Sequence, residues 1–269
     1  MELNGTNVIL TGASRGIGRE LVDVLVARGA RLALVARSAG ALAKIVAEVG
    51  TDQVGAFPCD LADPAALDGL VARIEEERGT TGVLLNNAGV DHTGAFASMS
   101  SDELRGVIGV NLTATAELCR QVLPGMAARG RGHIVNVSSI GGSLASAGVV
   151  VYCATKAGVN QLTAGLRAEL KGSGVRTTLV EIGPVATQMM DGLRDYAPSA
   201  ASVRRLERAH LSPELDPHDV AVAIADAVES GRRHLRMPKR QAPMSMLAEA
   251  PRRIGEWLTV GLPTAPTQP

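Results

Sequence analysis

The sequence lacks the charge imbalance and the long apolar runs that would direct a protein to a charged polymer or a bilayer. Its 27 basic and 27 acidic residues give a formal net charge of zero, so no overall attraction for nucleic acid or an anionic membrane arises. No window of about 18 uninterrupted apolar residues is available to span a membrane. Met1 to Gly5 lack the basic region of a secretory signal. We therefore expect a cytoplasmic protein whose partner is a small molecule.

Cysteine is also scarce. The three cysteines, Cys59, Cys119 and Cys153, are far apart and show no CxxC or Cys/His spacing, so we predict no metal site and expect reduced, buried thiols. With 269 residues and 46% hydrophobic content, the chain can bury a full core. We predict one domain over residues 1–262 and a flexible tail over residues 263–269.

Short apolar runs alternate with helical patterns along most of the chain. Strands are predicted near residues 7–11, 31–36, 53–58, 82–86, 132–138, 175–182 and 233–236. Helices are predicted over residues 17–28, 64–77, 103–128 and 150–171, the second of them with Asp63 as its N-cap. This alternation is typical of βαβ units. It predicts an α/β fold with a single-domain, doubly wound parallel sheet of the Rossmann type and helices on both faces.

A glycine-rich turn joins the first predicted strand to the first helix. It reads Thr11-Gly12-Ala13-Ser14-Arg15-Gly16-Ile17-Gly18. Glycines there permit a tight turn and close backbone approach, so a pyrophosphate can lie at the positive end of the helix. We predict that Gly12, Ser14, Arg15, Gly16, Ile17 and Gly18 bind a dinucleotide. The alternative is that the glycines only form a strand-to-helix turn.

The end of the second strand indicates which dinucleotide binds. An Asp or Glu there would bind the ribose 2′-hydroxyl of NAD, whereas a 2′-phosphate requires a cation. Ala36 is uncharged and Arg37 follows it. Together with Arg15, Arg37 could place two guanidinium groups on one phosphate, although either could also be a solvated loop charge. We predict NADP(H).

Two further loops follow predicted strands, at the sheet edge where ligands of open α/β sheets bind. Asp60 and Leu61 come after the third strand, and we assign them to the adenine end of the cofactor. Asn87, Ala88 and Gly89 follow the fourth strand and are assigned to its ribose. A turn stabilised by Asn side chains is the alternative for the second loop, and the two roles are compatible.

A phenol and an ammonium lie four residues apart in the segment Val151-Tyr152-Cys153-Ala154-Thr155-Lys156, in a chain that contains only two tyrosines. Residues at i and i+4 share one helix face. A neighbouring cation favours the phenolate, so we expect Lys156 to bring the pKa of Tyr152 from about 10 toward neutrality. An isolated pair of this kind is also compatible with two surface side chains.

Two polar residues complete the predicted catalytic group. Ser139 ends the fifth strand, 13 residues before Tyr152, where its hydroxyl can bond both a substrate carbonyl and the phenol. Asn111 interrupts a helical stretch with an amide, and Asn is a poor helix former. A purely structural role is the alternative for Asn111.

With these residues in order, the sequence resembles the short-chain dehydrogenase/reductase family over at least residues 6–236. The resemblance implies that Tyr152 is the catalytic acid/base and that Lys156 binds the nicotinamide ribose and lowers the Tyr152 pKa. Ser139 would orient the substrate oxygen, and Asn111 would hold a water in a proton relay. The family also places a loop after the sixth strand against the nicotinamide. That loop corresponds here to Gly183-Pro184-Val185-Ala186-Thr187, preceded by Ile182 where many members have proline.

These expectations describe an oxidoreductase that moves hydride between NADP(H) and a carbonyl or secondary alcohol, with ketone reduction on a hydrophobic substrate favoured. A reductase of 3-oxoacyl thioesters on an acyl carrier is the alternative. A non-catalytic NADP(H)-binding regulatory or scaffold protein is third. The resemblance also implies a homodimer or homotetramer.

Three segments are not explained by the motifs. We expect substrate choice to depend on residues 188–215, as a lid containing Met189, Met190, Leu193, Tyr196 and Leu206, and on the loop at Asp91, His92 and Thr93. Met and Leu at helical spacing are also typical of an ordinary core, and His92 fits an exposed loop. The basic, amphipathic segment 240–262 fits packing against this chain or a second subunit, with peripheral membrane contact as the alternative.

Overall fold

The strands form one parallel sheet in the computed structural model, which describes residues 1–208, 213–243 and 246–247. In the described chain they are β1 (Asn7–Thr11), β2 (Arg31–Ala36), β3 (Val54–Pro58), β4 (Val83–Asn86), β5 (Gly132–Ser139), β6 (Val175–Ile182) and β7 (His234–Met237). The order across the sheet is β3-β2-β1-β4-β5-β6-β7. The predicted doubly wound parallel sheet is confirmed, and the predicted strands match these bounds to within one residue at each end.

Helices cover both faces of the sheet. Those described are α1 (Gly16–Ala27), α2 (Ala39–Val49), α3 (Pro64–Leu67), α4 (Leu70–Arg78), α5 (Ser101–Ile108), α6 (Ala114–Ala128), α7 (Val150–Glu169), α8 (Gln188–Asp195), α9 (Ala197–Arg208) and α10 (Pro217–Ser230). One core contains Leu21, Leu42 and Ile224 from α1, α2 and α10. The other contains Ile74 and Leu118 from α4 and α6. Strands buried on both faces read as continuous apolar runs, which explains the strand pattern of the sequence.

The helix predicted over residues 64–77 is wrong as a single element. Asp63 caps it as predicted, since its Oδ1 accepts a hydrogen bond from the Ala65 amide at 2.9 Å. The chain then leaves the helix after α3 and re-enters it at α4, because Gly69 adopts the left-handed conformation with φ 62°. Glycine takes this conformation without the steric cost that a Cβ would add.

The helix predicted over residues 103–128 is also interrupted. It begins earlier, at α5, where Ser100 and Glu103 form a capping box. Residues Gly109–Thr113 then form a π-helical turn before α6 continues to Ala128. Single π turns of this kind often occur at functional sites, and this one contains Asn111.

The sheet order reverses between β1 and β4, which places a crevice at their carboxyl ends. The glycine-rich turn and the loops after β4, β5 and β6 meet at this edge. All three cysteines are free and buried, as predicted. No helix in the described part of the chain is long and apolar enough to cross a bilayer.

Two predicted segments are described only in part. The predicted lid over residues 188–215 contains α8 and α9, but residues 209–212 and the Leu206 side chain lie outside the described structure. Most of the basic segment 240–262 and all of the predicted tail 263–269 also lie outside the described residues. The lid, the basic segment and the domain boundary at residue 262 stay predictions.

Candidate active site

The glycine-rich turn brings two backbone segments into close contact. A Cβ on Gly12, which has φ 69°, would lie 2.8 Å from the Cα of Ala88. A Cβ on Gly18 would collide with the carbonyl group of Gly12. The turn therefore requires glycine at both positions.

Helix α1 offers an anion site at its first turn. Its N-cap residue, Arg15, makes no side-chain capping bond, and the first turn contains no acidic residue. The first amides of a helix have no partners within the helix, and its N-terminal end attracts negative charge. The turn formed by Gly12, Ser14, Gly16, Ile17 and Gly18 therefore fits the pyrophosphate of a dinucleotide.

Thr11 joins this turn to the loop after β4. Its Oγ1 accepts hydrogen bonds from the amides of Asn87 and Ala88, each at 3.0 Å. The Asn87 side chain donates in return to the Thr11 carbonyl at 3.0 Å. The structural role considered for Asn87 is therefore confirmed, and the ribose contacts of Asn87, Ala88 and Gly89 stay predictions.

The predicted cation for a 2′-phosphate lies at the expected edge. Arg37 is exposed immediately beyond β2, and Ala36 pairs with Pro58 on β3. Asp60 is exposed at the adjacent loop, where its Oδ1 accepts from the Ala62 amide at 3.0 Å, and Leu61 is buried. Asp60 thus partly stabilises its own loop, and the contacts of Arg37 with a 2′-phosphate and of Asp60 and Leu61 with the adenine end stay predictions.

Arg15 makes a contact that the sequence did not indicate. Its Nη1 donates to Oε1 of Gln188, the first residue of α8, at 3.3 Å. A Cβ on Gly16 would lie 3.3 Å from Cγ2 of Thr187. The glycine-rich turn and the loop after β6 therefore face each other, with Thr187 beside the turn as the predicted nicotinamide contact requires. The convergence of Arg15 and Arg37 on one phosphate stays a prediction.

The loop after β6 is held at its base. The Gly183 amide donates to the Met237 carbonyl at 2.8 Å, and the Leu215 amide donates to the Pro184 carbonyl at 2.9 Å. Ile182, where many family members have proline, is the last residue of β6 and is buried. The departure at Ile182 thus extends the strand, and Gly183 and Thr187 remain at the crevice.

Tyr152 and Lys156 lie on one face of α7, as predicted. The Lys156 Nζ is 5.7 Å from the centroid of the Tyr152 ring and donates to the Val137 carbonyl on β5 at 2.9 Å. Lys156 is buried, with 4% of its surface exposed. The alternative of two solvated surface side chains is therefore wrong for Lys156.

The prediction that Lys156 lowers the pKa of Tyr152 is also wrong for this arrangement. Burial raises the pKa of Tyr152 to about 12, while the Ser139 hydroxyl beside it acts in the opposite direction. Burial lowers the pKa of Lys156 to about 8. The Lys156 ammonium is directed to a backbone carbonyl, so desolvation outweighs its effect on the phenol.

Ser139 lies where β5 ends and the chain turns toward α7. Its Oγ accepts a hydrogen bond from the Gly141 amide at 3.1 Å. The neighbouring Ser138 donates to Oδ1 of Asn160 at 2.5 Å and to the Lys156 carbonyl at 3.2 Å. These bonds fix the end of β5 to α7, so Ser139 and Tyr152 are held side by side.

Asn111 holds the loop after β4. Its side chain accepts from the Val90 amide and donates to the Val90 carbonyl, each at 2.9 Å. It also donates to Oγ1 of Thr155 on α7 at 3.1 Å. A Cβ on Gly89 would lie 3.6 Å from Oδ1 of Asn111. The structural role considered for Asn111 is confirmed, and the water relay stays a prediction.

Sequence reasoning missed several residues that support the site. Asn160 continues the i+4 series of Tyr152 and Lys156 on α7, and that spacing was the signal that could have identified it. Thr11 is the first residue of the glycine-rich motif and could have been included with it. Asp91 lies in the loop predicted to affect substrate choice, but its electrostatic effect on Tyr152 was not part of that prediction.

Known proteins are similar to this chain in sequence and fold. The family model described as short chain dehydrogenase matches residues 6–198. The chain is 34% identical over 224 residues to the 3-oxoacyl-(acyl-carrier-protein) reductase FabG of Vibrio harveyi, covering 83% of this chain and 90% of that protein. A short chain dehydrogenase/reductase from Burkholderia phymatum in complex with NAD superposes with TM-score 0.79, at 28% identity and 100% coverage of both chains. A short-chain dehydrogenase from Sphingobium yanoikuyae in complex with NADPH gives TM-score 0.77, at 27% identity and 98% coverage of both.

Proposed function

Since this chain belongs to the short-chain dehydrogenase/reductase family, we propose that it reduces a ketone or aldehyde to an alcohol with NADPH as hydride donor. The family matches residues 6–198, and the chain is an oxidoreductase that uses a nicotinamide cofactor. The finer assignment, reduction with NADPH on a hydrophobic ketone, is supported by the residues described above.

The Tyr152 hydroxyl, beside Ser139 and on one helix face with Lys156, carries the assignment to carbonyl chemistry. A phenol with a pKa of about 12 is protonated at neutral pH and can therefore give its proton to a carbonyl oxygen as negative charge develops there. Ser139, held beside Tyr152, donates a second hydrogen bond to the same oxygen. The bound cofactor would supply the hydride.

Lys156 supports this chemistry from its position between β5 and the loop after β4. Its ammonium is fixed at the Val137 carbonyl, close to Gly89 in the loop assigned to the ribose, where a Cβ would lie 3.5 Å from Nζ. Remaining Nζ protons are available to ribose hydroxyls. Asn111 keeps that loop in place through Val90, so it acts as a positioning residue for both cofactor and substrate.

Preference for NADPH over NADH is supported by Arg37. It is exposed beyond β2, where a 2′-phosphate is bound in this fold, and Ala36 offers no carboxylate to repel that phosphate. Solved relatives bind either cofactor, one with NAD and one with NADPH, so the preference depends on this chain's own residues.

The test is oxidation of NADPH against a panel of ketones and aldehydes. We expect turnover with NADPH and an Arg37→Ala variant whose KM for NADPH rises by about tenfold, because a charged hydrogen bond to phosphate is lost. Arg31→Ala is the matched control, since Arg31 is exposed at the opposite end of β2. Equal use of NADH by the wild type would contradict the preference.

Reduction of 3-oxoacyl thioesters on an acyl carrier is the second candidate. It is favoured by the similarity to the Vibrio harveyi reductase. Comparing kcat/KM for an acyl-carrier thioester with that for a free ketone of equal chain length separates the two. A non-catalytic NADP(H)-binding regulatory or scaffold role is third, since it would not require Ser139, Tyr152 and Lys156 together.

We also propose a homodimer or homotetramer located in the cytoplasm. Sedimentation equilibrium of the full chain measures the assembly, and a monomer at micromolar concentration would contradict it. Cosedimentation with anionic liposomes tests whether the basic segment 240–262 contacts a membrane. We favour packing of that segment against protein.

A further inference from the structure

We propose that Asp91 determines substrate preference, and that its carboxylate favours a carbonyl compound carrying a positively charged ammonium group. This inference rests on the proposed reductase function and names a substrate class for it.

The catalytic residues fix one side of this loop. Both backbone groups of Val90, the residue before Asp91, are bonded to the Asn111 side chain at 2.9 Å. One residue earlier, a Cβ on Gly89 would lie 3.5 Å from Nζ of Lys156. Asp91 is therefore the residue that directly follows the part of the loop fixed to the catalytic group.

The lid helix faces the other side. A Cβ on Gly192 of α8 would lie 3.8 Å from Oγ1 of Thr93. The same Thr93 hydroxyl donates to Oδ2 of Asp91 at 3.3 Å. Asp91 is half-buried between α8 and the catalytic centre, and its charge acts on Tyr152, adding to the increase in the pKa of that phenol.

Within the described residues, Asp91 forms its side-chain hydrogen bond to a hydroxyl and no ion pair. Thr93, its side-chain partner, is uncharged. Arg15 and His92 act on Asp91 electrostatically, but the Arg15 guanidinium donates to Gln188 and His92 Nδ1 lies 3.2 Å from Glu103, so both side chains are directed to partners other than Asp91. A substrate cation that enters between Tyr152 and α8 would therefore meet a carboxylate whose side-chain hydrogen-bond partner is uncharged.

Partial burial makes this charge selective. Coulomb interactions at a few ångströms are several times stronger near a protein surface than in bulk water, and affinity changes tenfold for each change of about 1.4 kcal/mol in binding free energy. We expect the cation to be favoured over an uncharged substrate of the same shape by at least about tenfold in kcat/KM. A carboxylate-bearing substrate is expected to be disfavoured by a similar factor.

The alternative is that Asp91 has a purely structural role and only holds Thr93. Replacing it would then affect all substrates by the same factor. The ratio of kcat/KM for a charged and an uncharged substrate, measured within one variant, separates a substrate-binding role of Asp91 from a structural one. A general loss of activity lowers both values equally and cancels in this ratio.

The experiment uses three matched ketones that end in a trimethylammonium, a tert-butyl and a carboxylate group. The first two have nearly the same shape and differ in charge. We expect the wild type to prefer the ammonium ketone to the tert-butyl ketone by about tenfold or more in kcat/KM, and Asp91→Asn to bring this ratio close to one. Asp91→Lys is expected to shift preference to the carboxylate ketone.

Asp52→Asn is the matched control, because Asp52 is exposed in the turn before β3 at the opposite edge of the sheet. It removes the same charge and should keep the wild-type ratio. An unchanged ratio in Asp91→Asn, or a wild type without preference, overturns the proposal, whereas reduction of the tert-butyl ketone supports the reductase function independently.

Calorimetric binding of the corresponding alcohols in the presence of NADP+ gives a second readout. The ammonium alcohol should bind the wild type more tightly than the tert-butyl alcohol, and this difference should be lost in Asp91→Asn. If no ketone is reduced, the proposed reductase function is wrong. Equal binding of the two alcohols to the wild type would then also overturn the role of Asp91.

Discussion

The two halves of the crevice differ in how many buried polar side chains they contain. On the cofactor half, residues 1–80, the buried polar side chains are Thr6 and Thr11 alone. The glycine-rich turn in this half depends on glycines at which any side chain would collide with backbone atoms. On the catalytic half, Asn86 donates to Asn136 and Asn136 donates to Thr163, each at 2.9 Å and each fully inside the protein.

This difference follows from what each half must do. A dinucleotide is bound largely through its phosphates, which backbone amides can meet once side chains are out of the way. Proton transfer needs individual side chains at fixed positions, and buried polar side chains keep their positions when they bond one another. Adding atoms to the cofactor half should therefore weaken cofactor binding. Removing polar groups from the catalytic half should lower turnover or stability.

Removing the phenol gives the largest expected effect. Tyr152→Phe takes away the proton donor and keeps the ring, so turnover should fall by about a thousandfold, the range of general acid/base catalysis. Steady-state NADPH oxidation measures the loss, and fluorescence titration of NADPH checks that the cofactor still binds. Turnover within tenfold of the wild type would remove Tyr152 from the mechanism.

Acid should lower the free energy of unfolding through His133 on β5, in the catalytic half. This side chain is fully buried, and burial lowers its pKa to about 4 from the ordinary 6.5. The unfolded chain therefore takes up the proton first, so the free energy of unfolding falls as pH drops from 6.5 toward 4. The loss amounts to about 3 kcal/mol for this residue.

Urea unfolding monitored by circular dichroism at pH 7 and pH 4.5 measures this loss. His133→Asn should make the difference in unfolding free energy between the two pH values smaller. His218→Asn, which changes an exposed histidine on α10, is the control and should leave the difference as in the wild type. Equal pH dependence in His133→Asn and the wild type would contradict this account.

One added methyl group should damage the cofactor half. Gly18→Ala places a Cβ against the Gly12 carbonyl and 2.8 Å from the Asn87 side chain. Relief of such contacts requires backbone shifts that cost about 2 kcal/mol, so NADPH should bind about thirtyfold more weakly.

Gly165→Ala on α7 is the matched control, since a Cβ there meets nothing within 4 Å. It should bind NADPH as the wild type does and gain a little stability from the higher helix propensity of alanine. Equal NADPH affinity in Gly18→Ala and Gly165→Ala would show that the turn tolerates a side chain.

The smallest effect is expected at Thr11, one of the two buried polar side chains on the cofactor half. Thr11→Val removes the acceptor of two amides and should lower the unfolding free energy by about 1 kcal/mol, with NADPH binding weaker by a few-fold. Thr6→Val loses a hydroxyl bonded to the Glu2 carbonyl and should leave NADPH affinity alone. A wild-type NADPH affinity in Thr11→Val would show that the loop after β4 needs no such link.

Local patterns predicted most of the fold because each strand and turn is encoded by adjacent residues. The seven described strands, the glycine-rich turn and the Tyr152 and Lys156 face all follow from spacing. The break at Gly69 could also have been predicted, since glycine readily adopts the left-handed conformation that ends a helix.

Contacts between distant segments could not be predicted in the same way. The Arg15 bond to Gln188 joins residues 173 positions apart, and the bonds of Asn111 to Val90 depend on the π turn. The pKa of Tyr152 was predicted in the wrong direction because spacing gave the neighbouring cation, whereas the desolvation depends on tertiary packing.

The π turn at Gly109–Thr113 makes the length of this helical segment a functional variable. A π turn accommodates one extra residue in a helix, so deleting Gly109 would restore ordinary winding while α5 and α6 stay in register and no functional side chain is removed. Asn111 would then lose the wide turn that places its amide against both backbone groups of Val90. Insertions and deletions in this segment would thus alter the site without changing any of its chemistry.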